Sequence, residues 1–166
     1  MDVLIREARP GDAEGIVAVL NPIIEAGVYS ALETPLTAEA ERAFMASFPR
    51  RGLFHVASDR EAGRIVGFQT LEPFAAYTHA FDHVGVIATY VDLSLRRGGI
   101  GSRLAEVTFR QAGRRGYEKV FTYVRADSEA ALAFYCGLGF RVVGTAEKHA
   151  KCGGAYVDEV IIEMFL

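Results

Sequence analysis

Cysteine is scarce in this 166-residue chain, which has only Cys136 and Cys152. Two are too few for a disulfide framework and lack metal-ligand spacing, which suits a reducing compartment. Proline is almost as sparse, with 5 against 17 Gly, while hydrophobic residues make up 51% and charged residues 23%. That balance excludes disorder and belongs to a chain that buries a core. Positive charge is not in excess either. A net charge of -3 provides no field to gather nucleic acid or an anionic membrane, so neither is expected as a partner. No apolar run approaches the roughly 20 residues of a spanning helix. The mixed charges of the opening Met1 to Glu7 leave no room for a signal peptide's apolar stretch, so the chain reads as cytoplasmic. At roughly 150 residues per domain, and with no repeat, linker or low-complexity tract, residues 1–166 read as one domain.

The elements follow from periodicity and punctuation. Val3 to Ala8 reads as a strand. After Pro10-Gly11-Asp12, the residues Ile16, Val17 and Leu20 share a helical face, with Pro22 predicting a bend or a restart before Gly27. Thr37 is the expected N-cap of a second helix carrying Ala40, Phe44 and Phe48, with Glu39 and Glu41 in its first turn and Pro49 as its stop. Leu53 to Ser58 and Arg64 to Leu71 read as an antiparallel pair. Val84 to Leu93 is nearly all apolar and is expected to be the central strand. A helix over Gly101 to Gly113, a strand over Lys119 to Val124, a helix over Ser128 to Gly137, a strand over Phe140 to Val143 and a last strand over Tyr156 to Leu166 complete the chain. Strands first and helix–strand alternation later give an α/β (α+β) fold with a mixed antiparallel and parallel sheet.

Chemistry concentrates in Tyr90 to Leu104, where the central strand empties into a Gly-rich turn that opens a helix. Gly98, Gly99 and Gly101 let backbone approach a ligand closely, and the helix start aims free N–H groups at an anion, with Arg96 and Arg97 adding charge. A diphosphate suits this arrangement. A Walker loop needs Lys before Ser102 and a dinucleotide fingerprint needs a third spaced Gly; both are missing.

Arg96-x-x-Gly99-x-Gly101 resembles the [Q/R]-x-x-G-x-[G/A] pyrophosphate loop of the GNAT family of N-acetyltransferases. Ser128-x-x-Ala131-x-x-Phe134-Tyr135-x-x-Leu138-Gly139-Phe140 is similar to that family's second cofactor segment, and Ile5-Arg6-x-Ala8-x-x-x-Asp12 resembles its opening strand and helix. The resemblance implies a single-domain fold whose central sheet is splayed to hold acetyl-CoA and flanked by helices. It places the pantetheine arm beside the backbone of Val91, Asp92 and Leu93. The pyrophosphate would lie on Arg96, Arg97, Gly98, Gly99, Ile100, Gly101 and Ser102. Ser128, where the family usually has Asn, would line the cofactor with Ala131, Phe134 and Tyr135, and Tyr135 would protonate the departing thiolate as general acid.

An amine with a pKa of about 10.4 must lose a proton before it attacks a thioester. In the phosphinothricin acetyltransferase-like branch, which this sequence resembles through Asn21 to Ser30, the usual carboxylate position falls on Val86. Glu33, Glu72 and Asp82 are therefore the candidate bases or amine-binding groups, with His83 and Glu159 beside them. Tyr29, Glu33 and Thr34 are the candidate substrate-binding residues. His79, Asp82 and His83 lie in a loop behind Pro73 and read as surface, and His149-x-x-Cys152 is half a motif, so no metal is expected. Cys136 reads as an inert thiol. The expected reaction is direct acetyl transfer from acetyl-CoA to the primary amine of a small amino-acid-like molecule, by a chain that the family analogy makes a homodimer. The alternatives are acetylation of a protein N-terminus or lysine, and a non-catalytic CoA-binding sensor.

Overall fold

Seven strands and four α-helices make up the structure, a computed structural model that describes residues 2–166. The strands are β1 (Val3–Glu7), β2 (Leu53–Asp59), β3 (Ile65–Pro73), β4 (Val84–Val91), β5 (Lys119–Arg125), β6 (Arg141–Cys152) and β7 (Ala155–Phe165), in one sheet ordered β1-β2-β3-β4-β5-β7-β6. The helices are α1 (Ala13–Glu25), α2 (Ala38–Ala46), α3 (Ile100–Arg114) and α4 (Glu129–Gly137). Every neighbouring pair of strands is antiparallel except β4 and β5, which run parallel because α3 carries the chain between them. The mixed sheet with flanking helices expected from the sequence is the observed one.

The two faces of the sheet are covered differently. Ile16, Val19, Leu20, Ile23 and Ile24 of α1 pack on Val56, Ile65 and Phe68, with Tyr90 against them. That stripe continues on both sides of Pro22, so α1 runs unbroken through the proline where a restart was one of the alternatives. On the other face Leu53, Leu71 and Ile87 pack against Ala112 of α3 and Tyr135 of α4. Even-numbered side chains of β4 such as Tyr90 thus face α1, and odd-numbered ones such as Ile87 face α3 and α4. Thr37 caps α2 as expected, its hydroxyl accepting from the Ala40 N–H at 3.1 Å. Asp12 ties α1 to β1 through two 2.7 Å bonds from the Arg6 guanidinium, which holds its carboxyl below the ordinary carboxylate range.

Two strand boundaries differ from expectation. The central strand ends at Val91, not Leu93, because the Asp92 carboxylate accepts from the Ser94 N–H at 2.9 Å and turns Leu93–Leu95 into a 3₁₀ turn. In the last hairpin, β6 extends to Cys152, well past Val143. Its register breaks between Ala146 and Ala150 around Lys148, whose φ is +51°, and this irregularity with its edge-strand charges hides the period-2 signal.

Candidate active site

The parallel pairing of β4 with β5 is short, linking only Val84, Gly85 and Val86 to Lys119, Val120 and Phe121. Beyond Val86 the two strands diverge and leave a wedge. The Val84 carbonyl accepts from Phe74 N–H and the Asp92 N–H donates to the Val66 carbonyl, so even-numbered positions of β4 direct their backbone groups to β3. Alternation then turns the N–H and C=O of Thr89 and Val91 into the wedge, as an unpaired edge inside the sheet. Val91 therefore presents its backbone N–H and C=O to the wedge. Leu93, expected to continue that pairing, belongs instead to the 3₁₀ turn and packs against the α1 cluster. The Asp92 backbone faces β3, and its carboxylate accepts from the Ser94 hydroxyl and from Arg64, which hold it below the ordinary carboxylate range. Asp92 shapes the turn and is not directed at the wedge.

An anion cradle closes the wide end of the wedge. Arg97 and Gly99 adopt left-handed backbone conformations, with φ of +62° and +76°, and bend the chain so that α3 starts pointing at the opening. The first intrahelical bond runs from Arg103 N–H to the Gly99 carbonyl, so the N–H groups of Ile100, Gly101 and Ser102 stand ahead of it, free for a ligand. Gly101 is small for a second reason: a Cβ there would come within 2.9 Å of the Phe134 ring, so α3 and α4 touch at this point. The Arg96 guanidinium lies 3.8 Å from the centre of the Tyr29 ring, which brings the cradle together with a predicted substrate residue. Free amides, two arginines and an unpaired strand edge fit a diphosphate with an amide-bearing arm.

Tyr135 enters from the α4 side. It is buried, and its hydroxyl bonds the Thr89 hydroxyl at 3.1 Å, at the point where the Thr89 backbone turns into the wedge. Burial pushes its pKa far above the ordinary phenol value, against the smaller opposing effect of Thr89, so it remains a proton donor at neutral pH. Ser128 is buried at the N-cap position of α4 and makes no side-chain cap, while Ala131 and Phe134 pack in the same core as Tyr135. Cys136 is exposed although its neighbour Tyr135 is buried, so its thiol points away from the wedge.

The opposite face of the sheet carries a carboxylate beside Val86. Val86 has Glu72 as its register partner on β3 and Phe121 on β5, and Phe121 in turn lies opposite Glu163 of β7. These four side chains share the face covered by α1. Glu163 is engaged by Lys119 and Arg141 and is not available. Glu72 makes no ion pair among the described residues, and burial raises its carboxyl above the ordinary range. The strand that lacks an acid at position 86 thus has one directly beside it.

Above this face the loop joining α1 to α2 is tied at several points. Buried Arg125 at the end of β5 donates to the Gly27 carbonyl at 3.0 Å and the Ser30 carbonyl at 3.3 Å while paired with Asp127. The Glu33 carboxylate accepts from the Gly153 N–H in the β6–β7 turn at 2.6 Å. Glu33 therefore straps this loop to the hairpin turn, and Thr34 is exposed on the loop. Asp82, the third candidate, lies before β4, at the closed end of the parallel pair, where it bonds Arg51 and His79. Among the described residues no three His, Cys, Asp or Glu side chains gather as metal ligands. Arg125, Thr89 and Gln69 were missed in the sequence, since each reads as an ordinary polar position of a strand.

The family model for the acetyltransferase (GNAT) family matches residues 24–140. The phosphinothricin N-acetyltransferase of Streptomyces coelicolor is 28% identical, over 90% of this chain and 95% of that protein. A GNAT phosphinothricin acetyltransferase from Sinorhizobium meliloti, solved in complex with acetyl-CoA, superposes with a TM-score of 0.89 at 20% identity, over 100% of this chain and 89% of that one. The ribosomal-protein-alanine N-acetyltransferase of Brucella melitensis superposes equally well, with a TM-score of 0.89 at 26% identity over 98% and 99% of the two chains. The motif at residues 96–101, the wedge it opens into and the family match coincide on the same elements, and the chain belongs to the GNAT acetyltransferase family.

Proposed function

We propose that this chain transfers the acetyl group of acetyl-CoA directly to the primary amine of a small amino-acid-like molecule. The observation that carries the reading is the wedge itself: an unpaired β4 edge and the amide-lined start of α3 on one line, with the Tyr135 hydroxyl reaching in from the other side. Acetyl-CoA supplies an activated acetyl group when bound. Arg96, Arg97 and the amides of residues 98–102 hold its diphosphate, and Val91 and Thr89 pair with its amide-bearing arm. Glu72, directly or through a water, takes the proton that the amine must lose, and its raised pKa matches it to an amine better than an ordinary carboxylate would be. Tyr135 gives a proton to the leaving sulfur. These groups lie on opposite faces of the sheet, so acid and base approach the reacting carbon from two sides. The side chains named suffice for both proton transfers, and no metal enters the reading.

The similarity to the S. coelicolor enzyme supports a small acceptor, as does the loop of residues 26–37, strapped at Arg96, Arg125 and Gly153 into a roof over the acceptor face. The similarity to the Brucella enzyme favours a second reading, acetylation of a protein N-terminus. Release of free thiol from acetyl-CoA separates the two: turnover is expected with phosphinothricin-like amino acids and not with alanine-terminated peptides. Turnover on peptides alone would establish the second reading, and saturable acetyl-CoA binding without turnover on any amine would make the chain a sensor. We read the whole chain as one catalytic domain acting in the cytoplasm as a homodimer. The aromatic patch of Phe74, Tyr77 and Phe81, with Tyr77 82% exposed, supports the dimer, and sedimentation of the purified protein tests it.

A further inference from the structure

Behind Tyr135 a row of polar side chains crosses the sheet beneath α3. His55, Gln69 and Thr89 are successive register partners on β2, β3 and β4 and share one face. His55 and Gln69 are completely buried, each with 0% exposure. The Gln69 amide donates to the Thr89 hydroxyl at 2.8 Å, that hydroxyl bonds Tyr135 at 3.1 Å, and His55 Nδ1 lies 2.9 Å from the Thr108 hydroxyl of α3. Among the described residues two buried side-chain atoms have no hydrogen-bond partner, His55 Nε2 and Gln69 Oε1. They belong to adjacent members of this row.

The donor and acceptor capacities of these groups allow an arrangement that runs as one line of donors toward Tyr135. Thr89 Oγ1 accepts from the Gln69 amide and, in the resting protein, from the Tyr135 hydroxyl; its own proton turns to the tyrosine oxygen when Tyr135 gives up its proton. Gln69 Oε1 needs a donor. A neutral imidazole whose Nδ1 accepts from Thr108 carries its proton on Nε2, on the register partner of Gln69, where one buried water links the two atoms. The other tautomer makes Nε2 an acceptor, with no proton to offer Gln69 Oε1.

We propose that Gln69 and His55 are positioning residues for Tyr135: Thr108, His55, Gln69 and Thr89 form a chain in which each donates to the next, ending on the tyrosine oxygen once Tyr135 has given up its proton. This rests on the reading of Tyr135 as the acid. As the carbon–sulfur bond breaks, Tyr135 loses its proton to sulfur, and the phenolate left behind accepts from Thr89, which the aligned donors behind it polarise. The ammonium gives up two protons, the first through Glu72 before attack and the second to water from the tetrahedral adduct, and Tyr135 is reprotonated from water once the products depart. The row moves no proton itself. Gln111 of α3, Glu7 of β1 and Arg115 also face His55, while burial keeps the imidazole neutral in their company.

The test is a double-mutant cycle with a direct look at the imidazole. Gln69→Met keeps the side-chain volume and is expected to lower kcat about tenfold, the order of one hydrogen bond to a charge, with the KM for acetyl-CoA unchanged. In a Tyr135→Phe background the same substitution is expected to cost nothing further. An equal loss in both backgrounds, which mere packing would give, overturns the proposal. So does an unchanged kcat for Gln69→Met when Tyr135→Phe is itself impaired. A Tyr135→Phe enzyme with full turnover removes the acid assignment instead. Nitrogen-15 NMR of His55 in the unaltered protein needs no variant: a proton on Nε2 supports the row, and a proton on Nδ1 reverses its direction and overturns it.

Discussion

Glu72 is an acid whose burial favours its neutral form, yet as a base it works ionised. kcat/KM is therefore expected to rise with pH through a limb above the ordinary carboxylate range. Glu72→Gln is expected to lower kcat about a hundredfold, at the low end of general-base contributions, and to abolish that limb. A limb that persists in the variant assigns it to another group. Because Val86 is the cross-strand neighbour of Glu72, adding Val86→Glu to Glu72→Gln is expected to restore part of the rate. Glu41 illustrates the same electrostatics without function. It lies 3% exposed on α2, and burial raises its carboxyl pKa. A raised folded pKa means that the fold prefers the protonated form, so this position favours stability in acid and opposes it as pH climbs past that pKa. Glu41→Gln is expected to stabilise the protein by about 1 kcal/mol at pH 7, with the gain shrinking toward pH 4 in urea titrations. Sequence placed Glu41 in the first turn of its helix, where it is, but first-turn acids are normally solvated; only the packing of α2 on α1 buries this one.

Elements were legible where their signals are local. Thr37 caps α2 and the glycines after Arg96 start α3 because a side chain three residues from an N–H, or a positive φ, depends only on nearby chain. The end of β4 was not legible, since Leu93 and Leu95 continue the apolar run while one carboxylate, that of Asp92, decides the turn. The cradle glycines separate two kinds of constraint. A Cβ at Gly99 would meet nothing within 4 Å, but the φ of +76° remains unfavourable, so Gly99→Ala is expected to cost about 1–2 kcal/mol. At Gly101 the conformation is ordinary and the conflict is with the Phe134 ring. Calorimetry with acetyl-CoA titration distinguishes them: Gly99→Ala should weaken binding mainly by re-aiming the amides, and Gly101→Ala by parting α3 from α4.

For the molecule as a whole, the ties that hold the loop between α1 and α2 link residues far apart in the chain: Arg125 to Gly27 and Ser30, Gly153 to Glu33. No pattern within one segment announces such bonds, which is why Glu33 read as a candidate base and Arg125 was not singled out. Arg125→Lys keeps the charge but loses the planar fork. It is expected to raise the KM of the amine about tenfold while leaving acetyl-CoA affinity within about twofold, a split that steady-state kinetics reads directly.

The wedge has a mechanical side as well. Three register pairs are all that join strands β1 to β4 to strands β5 to β7 within the sheet. In the proposed binding mode the arm of acetyl-CoA lies along the free edge of β4 beyond those pairs. Donor concentration then sets how firmly the two halves are sewn together. At a hundred times Kd the stitch adds about 2.7 kcal/mol, so a cell rich in acetyl-CoA holds a sturdier protein than one that is starved.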